Sequence, residues 1–199
     1  MNRFGGRFKY SKVLNVIDNI DKSITSNITR VKIRRNLNAL INQFAQYELC
    51  FGNRFNVKPE GLNIKSTGFR IQGQSDTVFI TDTPNADKLT GVISIVKRDE
   101  TTGTNIVVVK SAGTVDYVHG EVNLTTINIV STDKPNNIVE VQAFPDSNDV
   151  IGLQDLYLEF NIPNSTINMV KDTITSGEQI SGVGYKVTSS YANGDLTRT

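Results

Sequence analysis

Between residues 63 and 160 the chain keeps breaking and restarting one pattern. Short runs rich in Val, Ile and Thr alternate with gaps such as Asp82-Thr83-Pro84-Asn85, Thr101-Thr102-Gly103 and Asp133-Lys134-Pro135-Asn136-Asn137. β-Branched residues suit a pleated backbone, and Gly, Asn, Asp and Pro interrupt it. Strands are therefore expected over 68–72, 77–81, 92–97, 105–110, 114–117, 121–130, 138–144 and 155–160. No helical stretch separates them to carry parallel crossovers, so the sheet must be mainly antiparallel, as a sandwich or partial barrel. In the longest run, Val122 and Leu124 share a face but Ile127 and Ile129 have changed phase. Period-two alternation cannot do that without an extra residue, so a bulge is expected near Thr125-Thr126.

The first 60 residues read differently. Val13, Leu14, Ile17 and Ile20 recur at helical spacing behind Ser11, so an amphipathic helix over 11–20 with Ser11 as its N-cap is expected. Over 28–35, Val31 and Ile33 share one face of a strand while Arg30, Lys32 and Arg34 share the other. No aromatic interleaves with these cations, so they read as a solvated or interface face balanced by acids rather than a phosphate grip. A further strand is expected over 43–51, with Tyr47, Leu49 and Phe51 in phase. The Pro59-Glu60-Gly61 break suggests a boundary, with a hinge near 56–61. The fold class is α+β and predominantly antiparallel β. It is organised as a small N-terminal α/β unit (1–58), a β-rich body (59–163) and an extended C-terminal arm (164–199).

That arm is crowded with Asn, Ser, Thr and Gly, yet Ile167, Val170, Ile174, Ile180, Val183, Tyr185, Val187 and Tyr191 recur through it. Ordering 36 residues at ~1 kcal/mol each costs roughly 35 kcal/mol. Offsetting that takes on the order of 1,400 Å² of buried apolar surface. A free tail cannot supply so much, so the arm is expected to lie on another surface, most simply another subunit, through those eight residues. Met169 to Thr173 could form one helical turn.

Chemistry is sparse. A single Cys excludes an internal disulfide and any Cys-rich zinc site, and one His and one Cys in the whole chain argue against a metal site or a Cys–His nucleophilic pair. Cys50, within Tyr47-Glu48-Leu49-Cys50-Phe51, reads as a small buried hydrophobe. His119 lies in "GTVDYVHGEVNL", two short alternating runs joined by a connection ending in Gly120. That is the mark of a hairpin tip with a left-handed glycine, not of an active site. Asp146, Asp149 and Asp155 fall close together without the spacing of oxygen ligands that a calcium loop needs. No phosphate loop, nucleophile elbow or metalloprotease motif is present, so no catalytic residue, metal or cofactor is expected. A net charge of +1 gives no general pull toward nucleic acid, and no apolar run reaches the ~18 residues of a membrane span. A glycan-binding sandwich presenting Tyr117 or Tyr157 is the alternative to an assembly protein, weakened by the absence of Trp.

Several runs resemble a known family as an ordered set: "FGGRFKYSKVLNVIDNIDKSITSNITRVKIRR" (4–35), "GTVDYVHGEVNLTTINI" (113–129), "VQAFPDSNDVIGLQDLYLEF" (141–160) and "NMVKDTITSGEQISG" (168–182). Together they are similar to the C-terminal part of the ring-forming baseplate wedge subunit of T4-type contractile-tailed phages, in the baseplate-J-like group. The resemblance implies a structural virion protein of the tail baseplate, made in the host cytoplasm. It would dimerise through its C-terminal region and hold neighbouring wedges in a ring, with itself and other wedge proteins as partners. Family members are considerably longer, so the chain corresponds to a fragment, a split gene product or a shorter relative.

Overall fold

The computed structural model describes residues 6–21, 24, 27–152, 191–192 and 195–196. The chain forms two compact units, Met1–Glu159 and Phe160–Thr199. In the second, strands β12 (Tyr191–Ala192) and β13 (Asp195–Leu196) pair antiparallel.

The first unit is predominantly antiparallel β with one described α-helix, in agreement with the fold class expected. In order it contains β1 (Arg7–Phe8), α1 (Tyr10–Ile20), β2 (Ile33–Asn38), β3 (Phe44–Cys50), β4 (Lys65–Ser66), β5 (Phe69–Ile71), β6 (Val78–Pro84), β7 (Thr90–Arg98), β8 (Asn105–Asp116), β9 (Glu121–Thr132), β10 (Ile138–Ala143) and β11 (Val150–Ile151). One sheet runs β3-β9-β5-β6-β7-β8, and a further β9–β8 pairing closes β5 through β9 into a ring. An odd ring of straight strands cannot be antiparallel at every step, so strands must bend. The extra residues sit where bending is needed. Between the pairs Ala45↔Ile127 and Tyr47↔Leu124, β9 has two residues, Thr125 and Thr126, opposite Gln46 alone. That is the bulge the phase change required. A second extra residue, Val130, separates the β5–β9 pairs.

Side chains from both ends of the first unit fill a single core, including Leu37, Leu49, Phe55, Phe69, Val122 and Val141. The expected division near residue 58 is therefore corrected. β2 pairs along its whole length with β10, β3 with β9, and β1 with β11. Short-range pattern could not reveal pairings that span a hundred residues of sequence. The expected hinge at 56–61 is likewise a seam. The Asn56 N–H donates to the Phe144 carbonyl (3.0 Å), and buried Asn63 donates to the carbonyls of Asn56 (2.6 Å) and Phe144 (3.1 Å).

Strand limits differ in instructive ways. β2 starts at Ile33 rather than residue 28, because its partner β10 leads into Pro145, which has no N–H to continue the ladder. The runs expected over 105–110 and 114–117 are one strand, β8. Gly113 is not a bend but a crossing point: a Cβ there would lie 2.1 Å from the Asn123 carbonyl oxygen. β6 runs on through Asp82 and Thr83 to Pro84, residues that read as a turn. The strand expected over 155–160 lies outside the described residues.

Candidate interaction surface

Every chemical candidate in the described sequence is held by a structural contact. His119 sits at the β8–β9 hairpin tip, its side chain 70% exposed, with Gly120 at φ 70° in the left-handed region. Asp116 closes the turn: its Oδ1 accepts the N–H groups of Val118 (2.8 Å) and His119 (3.0 Å), and its Oδ2 meets His119 Nδ1 at 2.8 Å. These donors hold the Asp116 carboxyl below its ordinary value, and the same contact raises that of His119. The tip is a turn, as its sequence indicated.

The two described carboxylates of the 146–155 loop are drawn apart. Asp146 approaches Arg54 at 3.5 Å, while Asp149 Oδ1 accepts the Tyr10 N–H at 2.8 Å. The second contact corrects the expected N-cap. The cap position is Lys9, which makes no side-chain cap bond, and Asp149 supplies the acceptor from 139 residues away. Asp155 lies outside the described residues. Among the described residues no group of three His, Cys, Asp or Glu side chains could hold a metal ion.

The cations of the second segment have partners of two kinds. Arg34 Nη1 bonds Glu140 Oε1 at 2.9 Å, and Lys32 Nζ lies 5.1 Å from the centre of the Phe144 ring. Lys58 Nζ is 4.9 Å from the same ring, so two ammonium groups share one aromatic face system. Arg30 is exposed. An open groove of about 710 Å³ beside β7 mixes Arg70, Asp76, Lys97, Arg98, Asp99 and Glu100. Its charges partly neutralise each other: Lys97 Nζ bonds Asp76 at 2.8 Å and holds that carboxyl below its ordinary value.

Two expectations about single residues are corrected here. Cys50 is half-buried rather than buried, because strand alternation turns Leu49 inward and Cys50 outward, where its Sγ lies 3.9 Å from Glu121 Oε1. Tyr117 cannot serve as an exposed glycan platform: it is 1% exposed and its hydroxyl is bonded inside the fold. Tyr157, and Ile167, Val170, Ile174, Ile180, Val183, Tyr185 and Val187 of the arm, lie outside the described residues, as does the helical turn expected at 169–173. Of the arm residues, Tyr191 has a described backbone, paired with Leu196 in β12–β13.

What the described surface does offer is apolar. No residue of α1 is buried. At 100° per residue, Tyr10, Val13, Leu14, Val16, Ile17 and Ile20 occupy one arc of the helix. One side of that arc is strapped by the following segment, through the Tyr10 hydroxyl to the Thr29 carbonyl (2.8 Å) and Asn27 to Asp18. The other side is open. Val16 is 61% exposed, Ile20 70% and Ile28 91%. Two large aliphatic side chains of α1, with Ile28 of the segment that follows it, are left in water and mark a contact surface rather than a core.

That element is the part with a recognisable counterpart. Residues 1–36 match the family model described as baseplate structural protein gp6, C-terminal domain III. The matched stretch carries β1, α1 with its exposed aliphatic residues, and the start of β2. It is 36 of 199 residues, so the likeness belongs to that segment. No curated protein matches the chain. The match supports a structural role in a phage-tail baseplate. The signal that sequence reading missed was the exposure of Val16 and Ile20, which hydrophobic spacing alone cannot reveal. No described helix is long and apolar enough to cross a membrane.

Proposed function

We propose that the chain is a structural subunit of a contractile phage tail baseplate, a wedge component that associates with its own kind and links neighbouring wedges into a ring. The observation that carries this is the gp6 C-terminal domain III match over residues 1–36, which coincides with the exposed apolar helix face. A permanent assembly buries about 2,000 Å² or more at each interface. The α1 surface and the arm residues Ile167, Val170, Ile174, Ile180, Val183, Tyr185, Val187 and Tyr191 are the parts we assign to such contacts. A scaffolding role is supported by the contacts of His119, Asp149 and Tyr117: among the described residues these side chains close a turn, cap a helix or tie strands.

Antibodies raised against the first unit should label the baseplate end of tails that contain the protein, as seen by negative-stain microscopy. Label along the sheath, on the capsid, or absent from intact particles would count against the proposal. Deleting 164–199 should weaken association measured by light scattering, and an unchanged oligomer would remove the arm from the interface.

A further inference from the structure

An open cavity of about 200 Å³ lies between β4, β6, β7 and the start of β8. Cross-strand pairing sets its floor. Phe79 stands opposite Val96, alternation puts Thr81 and Arg98 on the same face, and Asn105 pairs with Arg98. Ser66 Oγ accepts the Ile80 N–H at 2.8 Å, which ties β4 to β6 and keeps Lys65 beside the opening. Three local departures from a well-satisfied fold meet here. Thr81 is 7% exposed, yet its hydroxyl has no hydrogen-bond partner. Leu62, on the wall, is held at φ 64°, a left-handed conformation that costs a branched side chain dearly. Lys65 and Arg98 are exposed and form no ion pair among the described residues. An orphaned buried hydroxyl, backbone strain and uncompensated charge collect where a fold is shaped for a ligand rather than for its own stability.

We propose that this cavity receives the side-chain carboxylate of a glutamate carried by a protein partner. Charge selects the head group: Lys65 and Arg98 supply cations, and the Asn105 amide and Thr81 hydroxyl supply neutral donors. Rotation about one bond exchanges the Thr81 hydroxyl with its methyl, so the orphaned donor can turn into the cavity that Thr81 lines. A carboxylate fits better than a phosphate, because Asp99 and Glu100 follow Arg98 and repel a second negative charge. The floor selects the stem. Phe79 and Val96, the latter 4% exposed, offer apolar surface that glutamate methylenes cover and a free inorganic anion leaves wet. Size selects the carrier: pockets for small organic ligands run ~300–1,000 Å³, so this one suits a single side chain presented by a larger surface. One such contact by itself is weak, with a Kd of about 1 mM, and serves to fix orientation within a wider interface. Nothing in this assignment depends on the baseplate reading.

Amide NMR of the full 199-residue chain tests it, by titration with the capped peptide acetyl-Ala-Glu-Ala-amide, its Gln counterpart and inorganic phosphate. The Glu peptide should shift the amides of Ser66, Thr81 and Arg98 in a saturable way, and the Gln peptide should leave them in place. Arg98→Gln and Lys65→Gln, both at exposed positions, should each weaken binding about tenfold. Thr81→Val should weaken it about fivefold while leaving the thermal midpoint equal to or above that of the parent, because a buried hydroxyl without a partner adds nothing to the fold. A merely structural threonine would give the opposite pair of results. No saturable shift with the Glu peptide, equal shifts with the Gln peptide, tighter binding of phosphate, or a lowered midpoint with unchanged binding in Thr81→Val overturns the inference. Each of those outcomes leaves the assembly role standing, since antibody labelling of tails and the 164–199 deletion probe that role separately.

Discussion

The Tyr117 hydroxyl donates a 2.7 Å hydrogen bond to Asp82 Oδ2, and both residues are 1% exposed. The other carboxylate oxygen accepts the Ile64 N–H at 2.7 Å, and the Asp82 carbonyl accepts the Leu62 N–H at 3.1 Å. One aspartate thus joins β6 to the end of β8 and to the segment entering β4. The buried charge is tolerable because each oxygen has a donor. Gly91 makes room for it, since a Cβ there would sit 2.7 Å from the Tyr117 hydroxyl oxygen.

Tyr117→Phe removes a donor from a buried carboxylate and should cost about 2 kcal/mol in urea unfolding at neutral pH. Burial first, and then the Asp82 hydrogen bond and charge, push the phenol well above its ordinary value of 10.0. A raised folded value means its contribution is fully present below pH 10 and is lost as pH climbs beyond it. The gap between parent and variant should therefore narrow in alkaline solution. Equal stabilities at pH 7 would contradict the assignment.

Gly113→Ala should destabilise the first unit by about 3 kcal/mol, because the contact is with the Asn123 backbone and no side-chain rotation can relieve it. Thermal denaturation reads this directly. A midpoint within a degree or two of the parent would mean that β8 and β9 do not cross so closely.

Asp149→Ala leaves the first turn of α1 without its acceptor and should cost about 1 kcal/mol locally. Amide exchange at Tyr10 should accelerate, whereas Ser11→Ala should leave it unchanged. The reverse ranking would restore Ser11 as the cap.

Proton titration by NMR should place His119 above 6.5, chiefly through its hydrogen bond to Asp116 and secondarily through that carboxylate's charge. With the folded value raised, this contact stabilises fully below pH 6.5 and fades as pH rises through the folded value. Asp116→Asn should bring His119 back toward 6.5. A His119 midpoint at or below 6.5 in the parent would discard the pairing.

Local pattern was sufficient wherever the cause was local. The helix over 11–20, the left-handed Gly120 and the Thr125-Thr126 bulge were all legible, because helical period, turn chemistry and strand phase act between near neighbours. Asp82 was not legible: it sits in a run that reads as a turn, and only Tyr117, 35 residues on, and Ile64, 18 residues back, make a buried aspartate stable there.

The order of residues by itself determined that the chain would be mostly antiparallel strands, which faces of those strands would be apolar, and that few side chains were available for chemistry. Tertiary structure alone decided that residues 33–50 share sheets with 121–143, that Asp149 caps a helix far from it in sequence, and that α1 and the outer edge of β8 keep apolar groups in water. The physical reason is range. Propensity and periodicity are settled within a few residues, whereas pairing partners and exposure depend on which distant segments occupy the remaining space.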